Sequence, residues 1–401
     1  MTNGAEAVQS ERYQSIDVLR GFAVLGILVM NIQNFALPMS HYVNPHAAGE
    51  LTGLNYGLWY LSHLLADTKF ITIFSMLFGA STLLMAERAD RAGGDAAPVY
   101  FRRNAILLVV GLLHAYMFWH GDVLTLYAMC AFVIFWFRAL SPRVLLALGV
   151  AGILTTTALG VLTGLAAPYF PQEFRDEIHA TVQPSPAALE AEIEAYQGGW
   201  IEQSAYRAPA SIAVQTFGMA YMGWRLAGLM LIGMALYKTG VVTARRQSAF
   251  YWRWILAAVF IGLPIIHFGV MRMDQQGWEP VRVALLDIQY NLLASVVVAM
   301  GWISAVMLLC RASWSRLFTT PLAAAGRMAL TNYLAQTLIC TTLFYGHGFG
   351  WFGTVDYAGQ LAIVSIIWAM QLAWSTWWMN RFRYGPAEWM WRFLTYGRAP
   401  A

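Results

Sequence analysis

Charged residues are scarce in this sequence, and their scarcity excludes an ordinary water-soluble fold. Asp, Glu, Lys and Arg make up 11% of the 401 residues, whereas a soluble domain carries roughly 25%. Hydrophobic residues make up 59%, and they recur in runs of about 20 residues, the length at which an α-helix crosses a hydrocarbon core. We therefore expect an all-α polytopic membrane protein in contact with the lipid bilayer, with residues 1–401 forming one integral-membrane domain.

Cysteine is also scarce, which argues against a disulfide framework and a zinc site. The three cysteines, Cys130, Cys310 and Cys340, lie in apolar runs without CxxC or Cys/His spacing. The net charge is only +4, and the basic residues lie in short loops, which argues against a nucleic-acid partner. We expect no metal site and no tightly bound cofactor.

Ten hydrophobic segments predict ten transmembrane helices, with both termini in the cytoplasm. The first segment starts near Ile16 and lacks a small-residue cleavage site, so we expect a span and not a signal peptide. For residues 54–65 we expect a short interfacial or re-entrant element, and a full crossing there would overturn this topology. The ten segments are 15–37, 66–87, 103–120, 122–138, 143–165, 209–237, 250–270, 283–309, 320–346 and 358–379.

The basic residues support this orientation, because cytoplasmic loops of membrane proteins are enriched in Lys and Arg. Most of the 25 Lys and Arg residues lie in loops assigned to the cytoplasm. The exceptions in loops assigned to the outside are Arg175, Arg207, Arg272 and Arg282. This asymmetry favours the predicted topology over its inverse.

Two segments outside the spans have a distinct composition. Residues 166–208 form the long extracytoplasmic loop, with an amphipathic helix from Pro186 to Tyr206 that Gly198-Gly199 interrupts. This loop is equally consistent with a solvated lid and with a substrate-facing element. Residues 380–401 mix Arg with Trp and Phe, which is typical of a cytoplasmic interfacial tail.

Ionisable residues inside the predicted spans are the candidates for function. A charge at the centre of a span costs roughly 2.5–3.5 kcal/mol unless it faces a cavity or a partner. In the first span, Asp17, Arg20 and Asn31 lie within about 60° of one another on a helical wheel. They predict a polar stripe from the cytoplasmic end, although Asp17 and Arg20 are equally explained as an interfacial ion pair. For Arg225 and Asp287 we expect an ion pair between two helices.

The third span contains His114, and a carboxylate, Asp122, follows at its outer boundary. A carboxylate can orient a histidine that takes a proton from a hydroxyl or amine. We therefore expect His114 to act as a general base with Asp122 as its partner. The alternative is a histidine whose ring only bonds a neighbouring backbone carbonyl.

Asp17 and Arg20 are candidate substrate contacts, and three further residues join them. Lys69, with Asp67, enters the second span from the outside, where it would pair, snorkel or hold an anionic group. Arg327 lies near the cytoplasmic face, where it would meet a phosphate or neutralise Asp17. Asn332 belongs to the same segment, GRMALTNYL.

Five motifs along the chain carry a family resemblance. They are RYQSIDVLRGFAVLGILVMNIQNFALP, DTKFITIFSMLFGAS, LLHAYMFWHGDVLTLYA, GRMALTNYLAQTLICTTLFYGHGFG and RFRYGPAEWMWR. Together they resemble the YeiB-like family of bacterial inner-membrane proteins, classed under domain of unknown function 418. The segment AYQGGWIEQSAYR is similar to that family's tyrosine–glycine–arginine pattern, at Tyr196, Gly198 and Arg207. The resemblance implies a multi-pass protein of the bacterial cytoplasmic membrane.

The first span is also similar to the opening of transmembrane acyltransferases, including the lysosomal heparan N-acetyltransferase. This similarity implies transfer of an acyl group from a cytosolic thioester, with acyl-CoA as co-substrate, to a small-molecule, glycan or lipid acceptor at or beyond the outer face. Asn31 and His41 are placed like an asparagine and a catalytic histidine of the lysosomal enzymes. In such an acyl transfer, we expect Asn31 to donate a hydrogen bond to the developing oxyanion. YeiB-like sequences as a rule lack a histidine at the position of His41, so His114 is the stronger candidate for the base.

A transporter or exporter of a small polar or amphiphilic solute is the alternative, with the same buried charges forming a midplane site. We find no internal repeat of the kind that many transporters have. A third hypothesis is a non-catalytic member of a larger envelope assembly, and the sequence is also compatible with a homo-oligomer. The catalytic hypothesis depends on the polar residues lining one shared interior space.

Overall fold

The computed structural model of the protein describes residues 13–91 and 93–397. These residues form helices and connecting turns without a β-strand. The helices are α1 Gln14–Ala36, α2 Ser40–Val43, α3 Gly53–Leu65, α4 Lys69–Arg91, α5 Ala96–Met117, α6 Leu124–Ile134, α7 Pro142–Ala166, α8 Gln172–Val182, α9 Pro186–Gln197, α10 Trp200–Ala213, α11 Met219–Lys238, α12 Ser248–Ala257, α13 Leu263–Gln275, α14 Pro280–Arg282, α15 Ile288–Arg311, α16 Arg316–Arg327, α17 Ala329–Phe344, α18 Tyr357–Met379 and α19 Pro386–Tyr396. Single π-helical turns join α10 to α11, α12 to α13 and α14 to α15.

Eight helical stretches of the described chain are long and apolar enough to cross a membrane. They are Gln14–Ala36, Gly53–Arg91, Ala96–Met117, Pro142–Tyr169, Trp200–Lys238, Ser248–Gln275, Pro280–Arg311 and Tyr357–Met379. The other two predicted spans are helical too, but α6 is short and the segment 320–346 is interrupted at Met328, between α16 and α17. The protein is therefore a polytopic α-helical membrane protein.

The predicted second span, 66–87, corresponds to α4, and the short element predicted at residues 54–65 corresponds to α3, which leads into it. α3 and α4 are separated at residues 66–68, and Thr68 has a φ of 60°, a conformation in which an α-helix cannot continue. The Phe70 ring lies against Gly26, at the middle of α1. The break therefore lies deep in the helix bundle, and residues 54–65 form the first half of the same crossing.

The connecting segments gather at two opposite ends of the bundle. At one end, Ser15 donates to the Val242 carbonyl, Lys238 to that of Leu140 and the Trp391 indole to that of Arg103. At the other end, the Gly353 amide donates to Ala36, the Met39 amide to Glu192 and the Asn55 amide to Asp356. The first end carries the arginine-rich loops, so we call it the cytoplasmic end on the positive-inside rule, and the second the outer end.

The segment 166–208 is mostly helical. α9 and α10 meet at Gly198-Gly199, where the sequence predicts an interruption. α8 was not predicted, and α10 starts nine residues before the predicted span at 209 and continues through a π-helical turn into α11. The polar residues of segment 166–208 are therefore part of the folded outer end.

The C-terminal tail packs against the helix bundle, because α19 forms hydrogen bonds to the start of α17, next to the break at Met328. The Glu388 carboxylate accepts hydrogen bonds from the backbone amides of Leu330 and Thr331 at 2.7 and 3.2 Å. It also accepts one from the Thr331 hydroxyl. A carboxylate stabilises the first turn of a helix, whose amides lack partners within the helix. Glu388 therefore caps α17 from a separate helix.

Glycines allow α4 and α11 to approach each other closely. A Cβ atom on Gly79 of α4 would overlap the Met230 carbonyl of α11, and one on Gly233 of α11 would overlap the Met76 carbonyl of α4. Small residues at helix contacts are a common device in membrane proteins, where the hydrophobic effect does not bring helices together.

We expect Gly79→Ala to destabilise the protein by about 1–3 kcal/mol, since the added methyl group must push α4 away from α11. The measurement is thermal unfolding of the purified protein in a mild detergent. Gly57→Ala is the control, because a Cβ at Gly57 meets no atom within 4 Å. Equal melting temperatures for the two variants would contradict the close approach of α4 and α11.

Candidate functional site

Three side chains from different parts of the chain form a hydrogen-bonded row in the interior. His114 lies near the end of α5, Asp122 in the turn before α6, and Thr337 in α17. The His114 Nδ1 atom is 2.8 Å from Asp122 Oδ1, and its Nε2 atom is 2.9 Å from the Thr337 hydroxyl oxygen. All three residues are at most 4% exposed. The structure thus brings together two residues that the sequence singles out and adds a third.

The local fold fixes the carboxylate in this row. The second oxygen of Asp122 accepts a hydrogen bond of 2.8 Å from the Thr125 amide in the first turn of α6. Gly111 of α5 allows the close approach, because a Cβ there would lie 2.6 Å from the Thr125 nitrogen. The Tyr333 ring packs 5.3 Å from the imidazole, measured between centroids. Asp122 is therefore held in place by the Thr125 backbone amide and by the His114 side chain.

The order of the groups determines what they can do chemically. An ionised carboxylate only accepts hydrogen bonds, so in a neutral imidazole Nδ1 carries the proton and Nε2 accepts from the Thr337 hydroxyl. A carboxylate, an imidazole and a hydroxyl in this order form the arrangement in which histidine acts as a general base. The alternative expectation, a histidine bonded only to a backbone carbonyl, does not describe His114. Its catalytic role stays a prediction.

The row lies deep in the bundle. Gln336, the neighbour of Thr337, donates to the Val24 carbonyl near the middle of α1 at 3.0 Å. Thr337 was not predicted from the sequence, although Asn332, Gln336 and Thr337, polar residues within an apolar segment, were the signal that could have identified it.

Asn31 does not join this row. Its side chain is half-buried, and no hydrogen bond within the described residues connects it to His114 or Asp122. The amide of α1 that reaches the α5–α6 turn is Asn34, whose oxygen accepts from the Trp119 indole at 2.9 Å. The oxyanion role of Asn31 therefore stays a prediction.

A cavity of about 340 Å³ opens at the cytoplasmic end. Its lining residues are Gln14, Asp17, Thr320, Ala323, Ala324, Arg327, Thr376, Met379 and Asn380. Arg327 also donates to the Met379 carbonyl at 3.2 Å. Two of the predicted substrate contacts, Asp17 and Arg327, thus line the same space.

Arg20 lies beside this cavity and forms the ion pair that the sequence suggested. Its guanidinium is 3.0 Å from the Asp17 carboxylate and donates to the Ser81 hydroxyl at 3.2 Å. The polar stripe of the first span is therefore divided, with an ion pair at its cytoplasmic end and Asn31 separate from it.

Lys69 lies at the break between α3 and α4, not at the outer boundary where the sequence placed it. It is completely buried and donates to the His63 carbonyl at 2.7 Å and to the Asn291 amide oxygen at 2.6 Å. The Asn291 amide nitrogen donates to Asp67 at 2.7 Å, and His63 lies 3.1 Å from the same carboxylate. Asn291 thus bridges the two charges.

The predicted pair of Arg225 and Asp287 is wrong. Arg225 donates to the hydroxyls of Thr72 and Ser295 at 3.2 and 2.8 Å. Asp287 instead pairs with Arg272 at 3.2 Å and Arg282 at 3.9 Å. The physical reason is depth, since Asp287 ends a π-helical turn towards the outer end, whereas Arg225 faces the first turn of α4.

Asn332 is used for helix packing. Its amide nitrogen donates to the Ala325 carbonyl and the Ser375 hydroxyl at 3.1 and 3.0 Å. Its oxygen accepts from the Trp374 indole at 2.7 Å. Both amide hydrogens are therefore occupied, and the structure leaves no free donor on Asn332 for a substrate.

The buried polar groups form separate clusters. One surrounds His114, one Lys69 and Arg225, and one the cytoplasmic cavity. No hydrogen bond within the described residues connects His114 to either of the others. The expectation that the polar residues line one shared space is therefore not met by these side-chain contacts, and the His114 row stands as the candidate site by itself.

We expect Lys69→Met to destabilise the protein by about 3–5 kcal/mol, because it leaves the buried Asp67 carboxylate without its cation. The double variant Lys69→Met with Asp67→Asn should recover part of this loss. Thermal unfolding in detergent measures both effects, with the exposed Lys238→Met as the control. Additive losses in the double variant would show that the two charges are not coupled.

Comparisons with known proteins identify the family of the chain and assign it no activity. Residues 236–398 match the model of a family described as "Protein of unknown function (DUF418)". The chain is 33% identical over 390 residues to the uncharacterized protein YeiB of Escherichia coli (strain K12), covering 96% of each chain. It is 27% identical over 420 residues to the uncharacterized protein YxaH of Bacillus subtilis (strain 168), covering 99% of this chain and 97% of that one. No solved structure matches the chain. The protein therefore belongs to the YeiB-like DUF418 family.

Proposed function

We propose that the protein is an acyltransferase of the bacterial inner membrane, which moves an acyl group from a cytosolic thioester to an acceptor at the outer face. The observation that carries the proposal is the row of Asp122, His114 and Thr337. A hydroxyl hydrogen-bonded to an imidazole that a carboxylate orients is what deprotonation of an acceptor requires. The depth of the row supports a reaction between the two faces.

The cytoplasmic cavity is the proposed entrance for the donor, acyl-CoA. Arg327 lines it and Arg20 lies beside it. Arg20 and Arg392 lie close enough to Arg103 for their charges to act on it, so this end presents a basic surface to phosphates. The long thioester arm of CoA would extend from this surface towards His114.

In the proposed reaction, the acceptor hydroxyl or amine takes the position of the Thr337 hydroxyl against His114. Nε2 accepts the acceptor's proton as its oxygen or nitrogen forms a bond to the thioester carbon. The bond between that carbon and sulfur then breaks, and the thiolate leaves as CoA after taking the proton from His114. Asp122 stabilises the imidazolium that forms between these steps.

A second candidate, a transporter, is favoured by the broken crossing of α3 and α4. Interrupted helices near the middle of a membrane form the substrate sites of many transporters, and Lys69 and Arg225 adjoin this break. The two functions differ in what they need. An enzyme releases CoA in detergent solution, whereas a carrier needs a sealed vesicle.

We expect the purified protein in detergent to release free CoA from acetyl-, octanoyl- or palmitoyl-CoA when bacterial lipid and glycan extracts are supplied as acceptors. A thiol reagent measures the release. His114→Ala should lower the rate by about 10²–10⁴-fold, the usual contribution of a general base. Thr337→Val should retain activity, because the acceptor replaces its hydroxyl.

His179→Ala is the matched control, since this histidine lies on α8 with half of its side chain exposed. A folded His114→Ala variant that works at the wild-type rate would contradict the assignment of the base. Solute uptake into sealed vesicles without any CoA release would instead support the transporter.

A further inference from the structure

A buried arginine at the outer end has two unused donor atoms. Arg207 of α10 is 1% exposed, and its Nε donates to the Tyr116 carbonyl at 2.9 Å. Within the described chain, neither of its Nη atoms has a hydrogen-bond partner. A buried guanidinium normally has its donors satisfied, because removing an unpaired charge from water is costly. The unused atoms therefore indicate an absent anionic partner.

Two further polar atoms without a hydrogen-bond partner lie near Arg207. They are the Tyr345 hydroxyl and the Nε2 atom of His120, both buried without a partner. The charge of Arg207 acts on both residues, which places them near the guanidinium. Tyr196 connects them, because its hydroxyl lies 3.3 Å from His120 Nδ1 and its ring 4.8 Å from that of Tyr345. Arg207, His120 and Tyr345 come from segments far apart in sequence.

The protonation of His120 fits the binding of an anion by hydrogen bonds. Burial and the charge of Arg207 lower the pKa of His120 to about 4, so its ring is neutral at neutral pH. When the Tyr196 hydroxyl donates to Nδ1, the proton is on Nε2, which is then a donor. The Tyr345 hydroxyl is a second neutral donor.

No carboxylate of the described chain pairs with Arg207. Glu192 is near enough for its charge to act on Tyr196 and Tyr345, but its carboxylate accepts from the Met39 amide. The Trp200 ring covers the guanidinium at 4.8 Å and is 41% exposed. An anion from the outer side would thus enter by displacing Trp200.

We propose that Arg207, Tyr345 and His120 form a binding site for an anionic oxygen group, a phosphate or a carboxylate, that enters from the outer end. The two Nη atoms of a guanidinium match two oxygens of such a group. If the proposed acyl transfer is correct, this group belongs to the acceptor. Anion binding itself can be measured without any acyl donor.

The test is the melting temperature of the purified protein in a neutral detergent, with inorganic phosphate or succinate titrated against chloride at constant ionic strength. We expect one of these anions to raise the melting temperature of the wild type by several degrees. Arg207→Gln should abolish this shift, whereas Arg175→Gln, at a half-buried position of α8, should keep it. Without anion, Arg207→Gln should melt at or above the wild-type temperature, because it removes an unpaired buried charge.

Tyr345→Phe keeps the test informative if Arg207→Gln fails to fold. Because the Tyr345 hydroxyl has no partner, this variant should melt like the wild type without anion and show a smaller shift with it. Nanodiscs of phosphatidylcholine with and without phosphatidylglycerol separate a lipid phosphate from a soluble anion. A shift only with phosphatidylglycerol, lost in Tyr345→Phe, would identify a lipid headgroup. No shift of the wild type with phosphate, succinate or phosphatidylglycerol would overturn the proposal.

These results separate the two proposals. Anion binding without CoA release would retain the outer site and reject the acyl transfer. CoA release that Arg207→Gln and Tyr345→Phe leave unchanged, without an anion-dependent shift, would retain the transfer and reject the site.

Discussion

The cost of placing charge inside a lipid-embedded helix bundle is the constraint on which this structure depends. A buried charge is tolerated when it has a partner and when its remaining donors and acceptors are satisfied. Lys69 meets this requirement through Asn291 and the His63 carbonyl, and Asp122 through His114 and the first turn of α6. These interactions hold together helices that are distant in sequence, so the polar groups are part of the packing.

Two groups of buried polar residues suggest function. The His114 row is fully hydrogen-bonded, and its groups stand in an order that permits proton transfer. Arg207 differs, because its terminal nitrogens are buried without partners in the described chain. The first arrangement is suited to chemistry and the second to binding, and Thr337 of the first lies in the middle of α17 whereas Tyr345 of the second directly follows the end of that helix. A donor from the cytoplasmic cavity and an anionic acceptor from the outer end would meet between them.

The sequence predicted the helical spans well, because an apolar run of sufficient length has few alternatives in a membrane. It placed a boundary between residues 54–65 and 66–87, where the structure has the break at 66–68, but it did not predict the left-handed conformation at Thr68, a residue type that rarely adopts it. It paired Arg225 with Asp287 wrongly, because hydrophobic patterns show which residues are buried but not at what depth. It singled out His114 and Asp122 but not Thr337, since only the fold shows which hydroxyl reaches the imidazole. Arg207 was counted as a loop residue because its burial depends on α9, α10 and the turn after α17.

The proposed function requires that an acyl group, and not a whole molecule, crosses from one face to the other. The most direct measurement encloses acetyl-CoA, with the acetyl group and the CoA labelled by different isotopes, inside proteoliposomes that have acceptor extract outside. We expect the acetyl label to appear on an external acceptor while the CoA label stays inside. Export of both labels together, or retention of both with a folded protein, would contradict it.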